Sequence, residues 1–152
     1  DADPEVLVAI GELSTSIGEA DITEVEMVTT TADKSDGFTI SVRVRYNEPV
    51  DVVTTGGTPT LAVTNGNEGT GTGRGPHSLS YASGTGTNEL IFSLAIAAAN
   101  AATNADDVLS VAAQSIALNS GTIKDASGTA SDASVAISSA QGTAAGSVTV
   151  TA

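Results

Sequence analysis

The chain of 152 residues carries 18 acidic and 5 basic side chains and one histidine, for a formal net charge of −13. That length fits one domain, and the charge excludes nucleic acid as a partner, because phosphate neutralisation needs a basic patch. No cysteine is present, which removes disulfides, thiolate metal sites and a cysteine nucleophile.

Hydrophobic residues make up 40% of the chain but aromatics only 3%, so the core must be built from Val, Ile, Leu and Ala. Sixteen glycines imply many turns, the composition of a short-stranded all-β protein. No apolar run of about 18 residues occurs, so no membrane insertion is expected. The acidic balance leaves room for hard cations with oxygen ligands. The chain begins at Asp1 with neither Met nor a basic, hydrophobic leader, the pattern of a processed chain or a piece of a longer product.

Residues 1–20 hold Pro4 and the apolar run Val6–Ile10, an N-terminal arm or an edge strand. Alternation over Ile22–Thr31 predicts a first sheet strand near 23–30, and Asp33–Gly37 a turn. Phe38–Val50 is the strongest stretch. Phe38, Ile40, Val42, Val44 and Tyr46 alternate with Thr39, Ser41, Arg43 and Arg45, the period of a strand with one face buried. The arginines on the outer face are expected to pair with acids on adjacent strands.

Strands follow at Thr60–Asn65, His77–Ser83 and Glu89–Ile96, with the glycine-rich Asn65–Pro76 as a long hairpin loop. Ala95–Ala105 reads as either a short helix or an irregular crossing. Further strands are predicted at Asp107–Ala112, Ser115–Leu118 and Ser134–Ser138. Gln141–Gly146 reads as a small-residue linker, and Ser147–Ala152 alternates once more. This spacing of short strands and turns means a sandwich or barrel.

The order of segments resembles the bacterial immunoglobulin-like modules of large surface adhesins, which also occur in tailed-phage virion proteins. The carrying residues are TISVRVRYNEPVDV (39–52), GTPTLAVTNG (57–66), SYASGTGTNELIFSL (80–94) and IALNSGTIKDASGTASD (116–132). The resemblance covers about residues 24–138. It implies an all-β immunoglobulin-like sandwich of two antiparallel sheets with about 7–9 strands, at 21–138. Residues 1–20 would then be the arm or edge strand, and 139–152 a C-terminal linker and strand. Gly69–Pro76 is an insertion relative to the family pattern, and Ala97–Ala105 replaces a more polar segment.

Hydrolytic chemistry needs a nucleophile, a base and an orienting group. His77, the only histidine, reads as a surface residue, and no Gly-x-Ser-x-Gly elbow occurs. The Gly69–Gly75 run lacks the Gly-Lys-Ser/Thr ending and the following helix of a phosphate loop. The chain is therefore read as no enzyme. No cofactor is expected except calcium, for which Asp33, Asp36, Asp125 and Asp132 are the candidate ligands. The competing reading makes these aspartates turn residues that bond their own backbone.

Val6, Val8 and Ile10, with Val148 and Val150, are candidate contacts if the terminal segments add strands to a neighbouring sheet. The alternative is that these segments complete the domain's own sheets. Arg74, in the glycine loop, is a candidate ion-pairing contact. The expected role is a non-enzymatic structural module of a virion surface, docking on copies of itself or other subunits in an oligomer or lattice. The alternative is a repeat module of an extracellular, cell-surface adhesin.

Overall fold

A computed structural model describes residues 18–66, 75–127 and 131–152 of the chain. Val6, Val8, Ile10 and Arg74 lie outside the described residues. The order is β1 (Ile22–Met27), β2 (Ala32–Asp33), β3 (Phe38–Val53), β4 (Thr60–Gly66), β5 (His77–Ser83), β6 (Thr87–Ile96), β7 (Val108–Ser110), β8 (Gln114–Ser115), β9 (Thr122–Asp125), β10 (Ala136–Ile137), α1 (Ser139–Ala144) and β11 (Ser147–Thr151).

The protein is all-β, as its composition predicts. Nine strands share one curled, mixed sheet with the path β1-β3-β6-β5-β4-β7-β11-β2, and β9 pairs with β3 beyond β1. A small second sheet joins β10 to β8. β5 and β4 pair, so the hydrogen-bonded path is continuous from its first half to its second. The β11–β2 pair is parallel.

The alternating residues of β3 fix the centre. Ile40, Val42 and Val44 are fully buried and face Leu94, Phe92 and Leu90 of β6 in register. Leu61, Val63, Leu79, Leu109, Ile123 and Val150 complete the core. Tyr46 is buried beside them, and its hydroxyl donates to the Ser134 carbonyl at 3.0 Å. The phenol keeps its proton far above the ordinary range because burial disfavours its anion. Tyr81 meets Phe92 edge-on, with ring centroids 6.1 Å apart.

The outer face of β3 carries the arginine pairs that the alternation predicts. Arg45 bridges Glu24 of β1 and Glu89 of β6, each at 2.6 Å, and Arg43 pairs with Glu26. The carboxyl of Glu89 is held below its usual range, chiefly by the Arg45 hydrogen bond. Cross-strand pairs of this kind align strands more than they stabilise them.

Two segments near the C-terminus bear on the sequence reading. The predicted linker 141–146 is mostly α1, entered through a capping box: Ser138 Oγ accepts from Gln141 N, and Gln141 Oε1 accepts from Ser138 N. The S-x-x-Q signature was present in the sequence, but six residues of low apolar content give no helical stripe. Of the two readings of the C-terminal segment, the structure takes the second for 147–151, which completes the domain's own sheet. This strand pairs antiparallel with β7 and parallel with β2, and Val148 and Val150 are buried in the chain's own core. Those two residues are therefore not partner contacts. Ala95–Ala105 runs from the end of β6 into an irregular crossing.

Truncating Phe92 to Ala should cost about 3–5 kcal/mol in urea denaturation, as for other buried aromatics. Gly142→Ala tests the packing of α1 more sharply. Helix propensity alone favours Ala by about 1 kcal/mol, but a Cβ there would lie 2.6 Å from the Val111 carbonyl oxygen. The backbone clash should win and lower the denaturation midpoint.

Candidate functional site

β3 runs the length of the molecule and defines its two ends. Near Phe38 lie the Asp33–Gly37 turn, the 97–107 crossing and the end of β11. Near Val50 lie Asp125 and the entry of the described chain at Ala20 and Asp21, which bond Ser134 and Asn47. Twelve residues separate Phe38 from Val50, a contour length of at most about 40 Å, with an irregularity in the β6 pairing between Arg45 and Val50.

That distance breaks up the proposed calcium set. Asp33 and Asp36 sit at one end, and Asp125 and Asp132 at the other. Asp33 Oδ1 accepts from Ser35 N at 2.8 Å and Ser35 Oγ at 2.6 Å, and the hydroxyl bond is the main reason its carboxyl is held below the usual range. Asp125 Oδ1 accepts from Ser127 N at 2.6 Å. Both are turn aspartates bonding their own backbone. Asp132 pairs with Lys124 at 2.7 Å. Among the described residues no group of three or more His, Asp or Glu side chains is arranged to hold a metal.

At the Val50 end, one oxygen of Glu48 is buried without a hydrogen-bond partner. Its carboxyl is raised above the ordinary range, first by desolvation and then by the charges of Asp125 and Asp21. This crowding was invisible in the sequence, since the three acids lie apart in the chain: the β3–β9 pairing brings Asp125 to Glu48, and the bonds between Asp21 and Asn47 bring Asp21.

At the Phe38 end, His77 is buried, contrary to its reading as a surface residue. It starts β5 opposite Val63 and packs against Asn65 of β4. Asp107 is fully buried beside them and accepts from Asn65 Nδ2 at 2.9 Å and from Asn104 N at 2.7 Å. Burial pulls the His77 imidazole below its ordinary value of 6.5, against an opposing pull from Asp107. Thr103, also fully buried, is tied to Asn100: the Asn100 Oδ1 accepts from its N and Oγ1 at 2.8 and 2.9 Å. Asn and Asp side chains therefore hold the 97–107 crossing where helix hydrogen bonds would otherwise be needed.

The crossing forms one wall of an open cleft of about 490 Å³ lined by Lys34, Ser35, Ala99, Asn104, Ala105 and Ala152. Ala99 N donates to the Lys34 carbonyl at 2.8 Å, and Lys34 Nζ reaches Asn104 Oδ1 at 3.5 Å. The lining is mostly methyl groups, with one ammonium at its edge. It offers packing surface and a charge, and its one hydroxyl, Ser35 Oγ, donates to Asp33 within the turn.

No family model matches the chain, and neither a curated protein nor a solved structure does.

Glu48 gives a pH test. A carboxyl whose folded pKa is raised penalises the native state above that pKa and not below its unfolded value of 4.5. Glu48→Gln should therefore raise the melting temperature at pH 7, with the gain disappearing as the pH falls below about 4. Thermal melts of both proteins across pH 3–8 check this.

Proposed function

We propose that the chain is a non-enzymatic, immunoglobulin-like structural module of a virion surface, a decoration, tail or fibre component that docks on neighbouring subunits. The observation that carries the fold reading is the strand order. The half-path β1-β3-β6-β5 followed by β4-β7-β11 has the ABED and CFG order of immunoglobulin sandwiches. β1 and β2 act as one first strand that leaves the first half and joins β11 in parallel.

The structural role is supported by where the polar chemistry lies. His77 is buried against an amide, and Arg43 and Arg45 are consumed by ion pairs along the sheet. One edge of the described sheet, that of β1, is also covered. β1 is covered by a bond from Met27 N to the Ala145 carbonyl at 2.8 Å, and by Gln141 Nε2 donating to the Ile22 carbonyl at 2.7 Å. Docking therefore falls to the arm with Val6, Val8 and Ile10 and to Arg74, rather than to β11.

A second reading, a repeat module of a bacterial extracellular adhesin, is favoured by one observation. Ala20 and Ala152 lie at opposite ends of β3, the arrangement of units linked head to tail. This reading stands without a shared calcium site.

Light scattering and electron microscopy of the full chain test the assembly role. Particles or filaments with a fixed spacing are expected, and removal of residues 1–17 should leave folded monomers with an unchanged melting temperature. A full-length chain that stays a 14.9 kDa monomer at every concentration overturns the docking role.

A further inference from the structure

The Asn65 amide nitrogen has three acceptors around it: Asp107 Oδ2 at 2.9 Å, the Ala102 carbonyl at 3.3 Å and His77 Nε2 at 3.4 Å. A carboxylate and a carbonyl can only accept, so the atom they face must be the nitrogen of the amide and not its oxygen. His77 Nε2 then presents a lone pair, and the neutral ring carries its proton on Nδ1. Asn65 Oδ1 is buried with no hydrogen-bond partner. One side chain thus fastens the 97–107 crossing to β4 and β5 through Ala102 and Asp107.

A proton added to His77 Nε2 would point an N–H at that NH₂ group. Two donors then face each other in a buried space. Turning the amide relieves this, because the unpartnered Oδ1 can accept from the imidazolium. The same turn takes the nitrogen away from Asp107 and Ala102, and sets an oxygen against the Asp107 carboxylate. One charge-assisted bond is gained while the crossing loses both of its ties to β4.

We propose that His77, Asn65 and Asp107 form a proton-operated clasp that frees the middle of the crossing, around Ala102–Asn104, from β4 and β5 when the imidazole is charged. The bonds of Ala99 to Lys34 and of Asp106 and Asp107 to Val150 hold the two ends of the crossing. Among the described residues the charge acting on His77 comes from the crossing itself, from Asp107. β4 brings only neutral Val63 and Asn65, and Glu68 and Arg74 lie outside the described residues. Attraction to Asp107 opposes release and is outweighed by the burial of the ring, which keeps the clasped imidazole below its ordinary 6.5. The released ring, in water, regains that value. Release therefore takes up a proton, and becomes easier by up to about tenfold per pH unit as the pH falls below 6.5. This device is independent of what the module docks against.

The chain's single histidine makes the test direct. The imidazole carbon-bound protons and the Asn65 side-chain amide are followed by NMR from pH 8 to 4, with hydrogen exchange of Thr103 and Asn104 measured alongside. The imidazole midpoint should fall below 6.5, the Asn65 amide signals should shift with that midpoint, and protection at Thr103 and Asn104 should drop while that of Val42 and Phe92 holds. His77→Gln, neutral at every pH, should abolish the pH dependence of that protection. An imidazole that titrates at 6.5 or above with the Asn65 signals unmoved overturns the clasp. So does protection that ignores the imidazole midpoint, or a pH dependence that survives in His77→Gln. Because the NMR titration uses the unaltered protein, the test stands even if the variant folds poorly.

Discussion

The pairing of β3 with β6 is the constraint from which the rest of the structure follows. Its register sets Ile40, Val42 and Val44 against Leu94, Phe92 and Leu90, and a slip of one residue would turn every one of these side chains into water. The same register places Arg45 between Glu24 and Glu89 on the outer face. The apolar face thus supplies the free energy while the charged face specifies alignment. With so few aromatics, the core is filled by branched aliphatic side chains whose packing leaves little slack.

The curl of the sheet follows from a short switch in the chain. β1 and β2 are separated only by residues 28–31, yet they bond to opposite ends of the strand path. The segment that starts the sheet on one side therefore finishes it on the other, and no long unpaired strand is left at either end. Aggregation through open edges is the usual hazard of a β protein of this size. Short closing strands, α1 and the Gln141 amide answer it here.

Strand positions were legible in the sequence wherever alternation ran for five residues or more. β3, β4, β5 and β6 fall close to where the pattern puts them, and the ion pairs of Arg43 and Arg45 could be anticipated from their outward phase. Two-residue strands such as β2 and β8 carry no period to detect. α1 was hidden because its capping box lies in a run of small residues, and the parallel pairing of β11 depends on a partner more than a hundred residues away. The candidate sites were less legible still. Aspartates in turns look alike whether or not they converge, and only the length of β3 separates Asp33 from Asp125. His77 looked exposed because Pro76 and Ser78 flank it, and nothing local announces that Asn65 and Asp107 will close over it.

The small sheet of β8 and β10 meets β4 of the main one through a side chain as well as through the backbone bridge between Thr60 and Ala117. Gln114 accepts from Ala62 N at 2.8 Å and donates to the Ala62 carbonyl at 2.7 Å, so an amide group takes the place of a strand residue beside β4. Backbone pairing is open to nearly every residue type, whereas this half of the seam needs a primary amide of the length of Gln114. Losing that amide would strand the N–H and carbonyl of Ala62 together, while the Thr60–Ala117 bridge kept the junction in place.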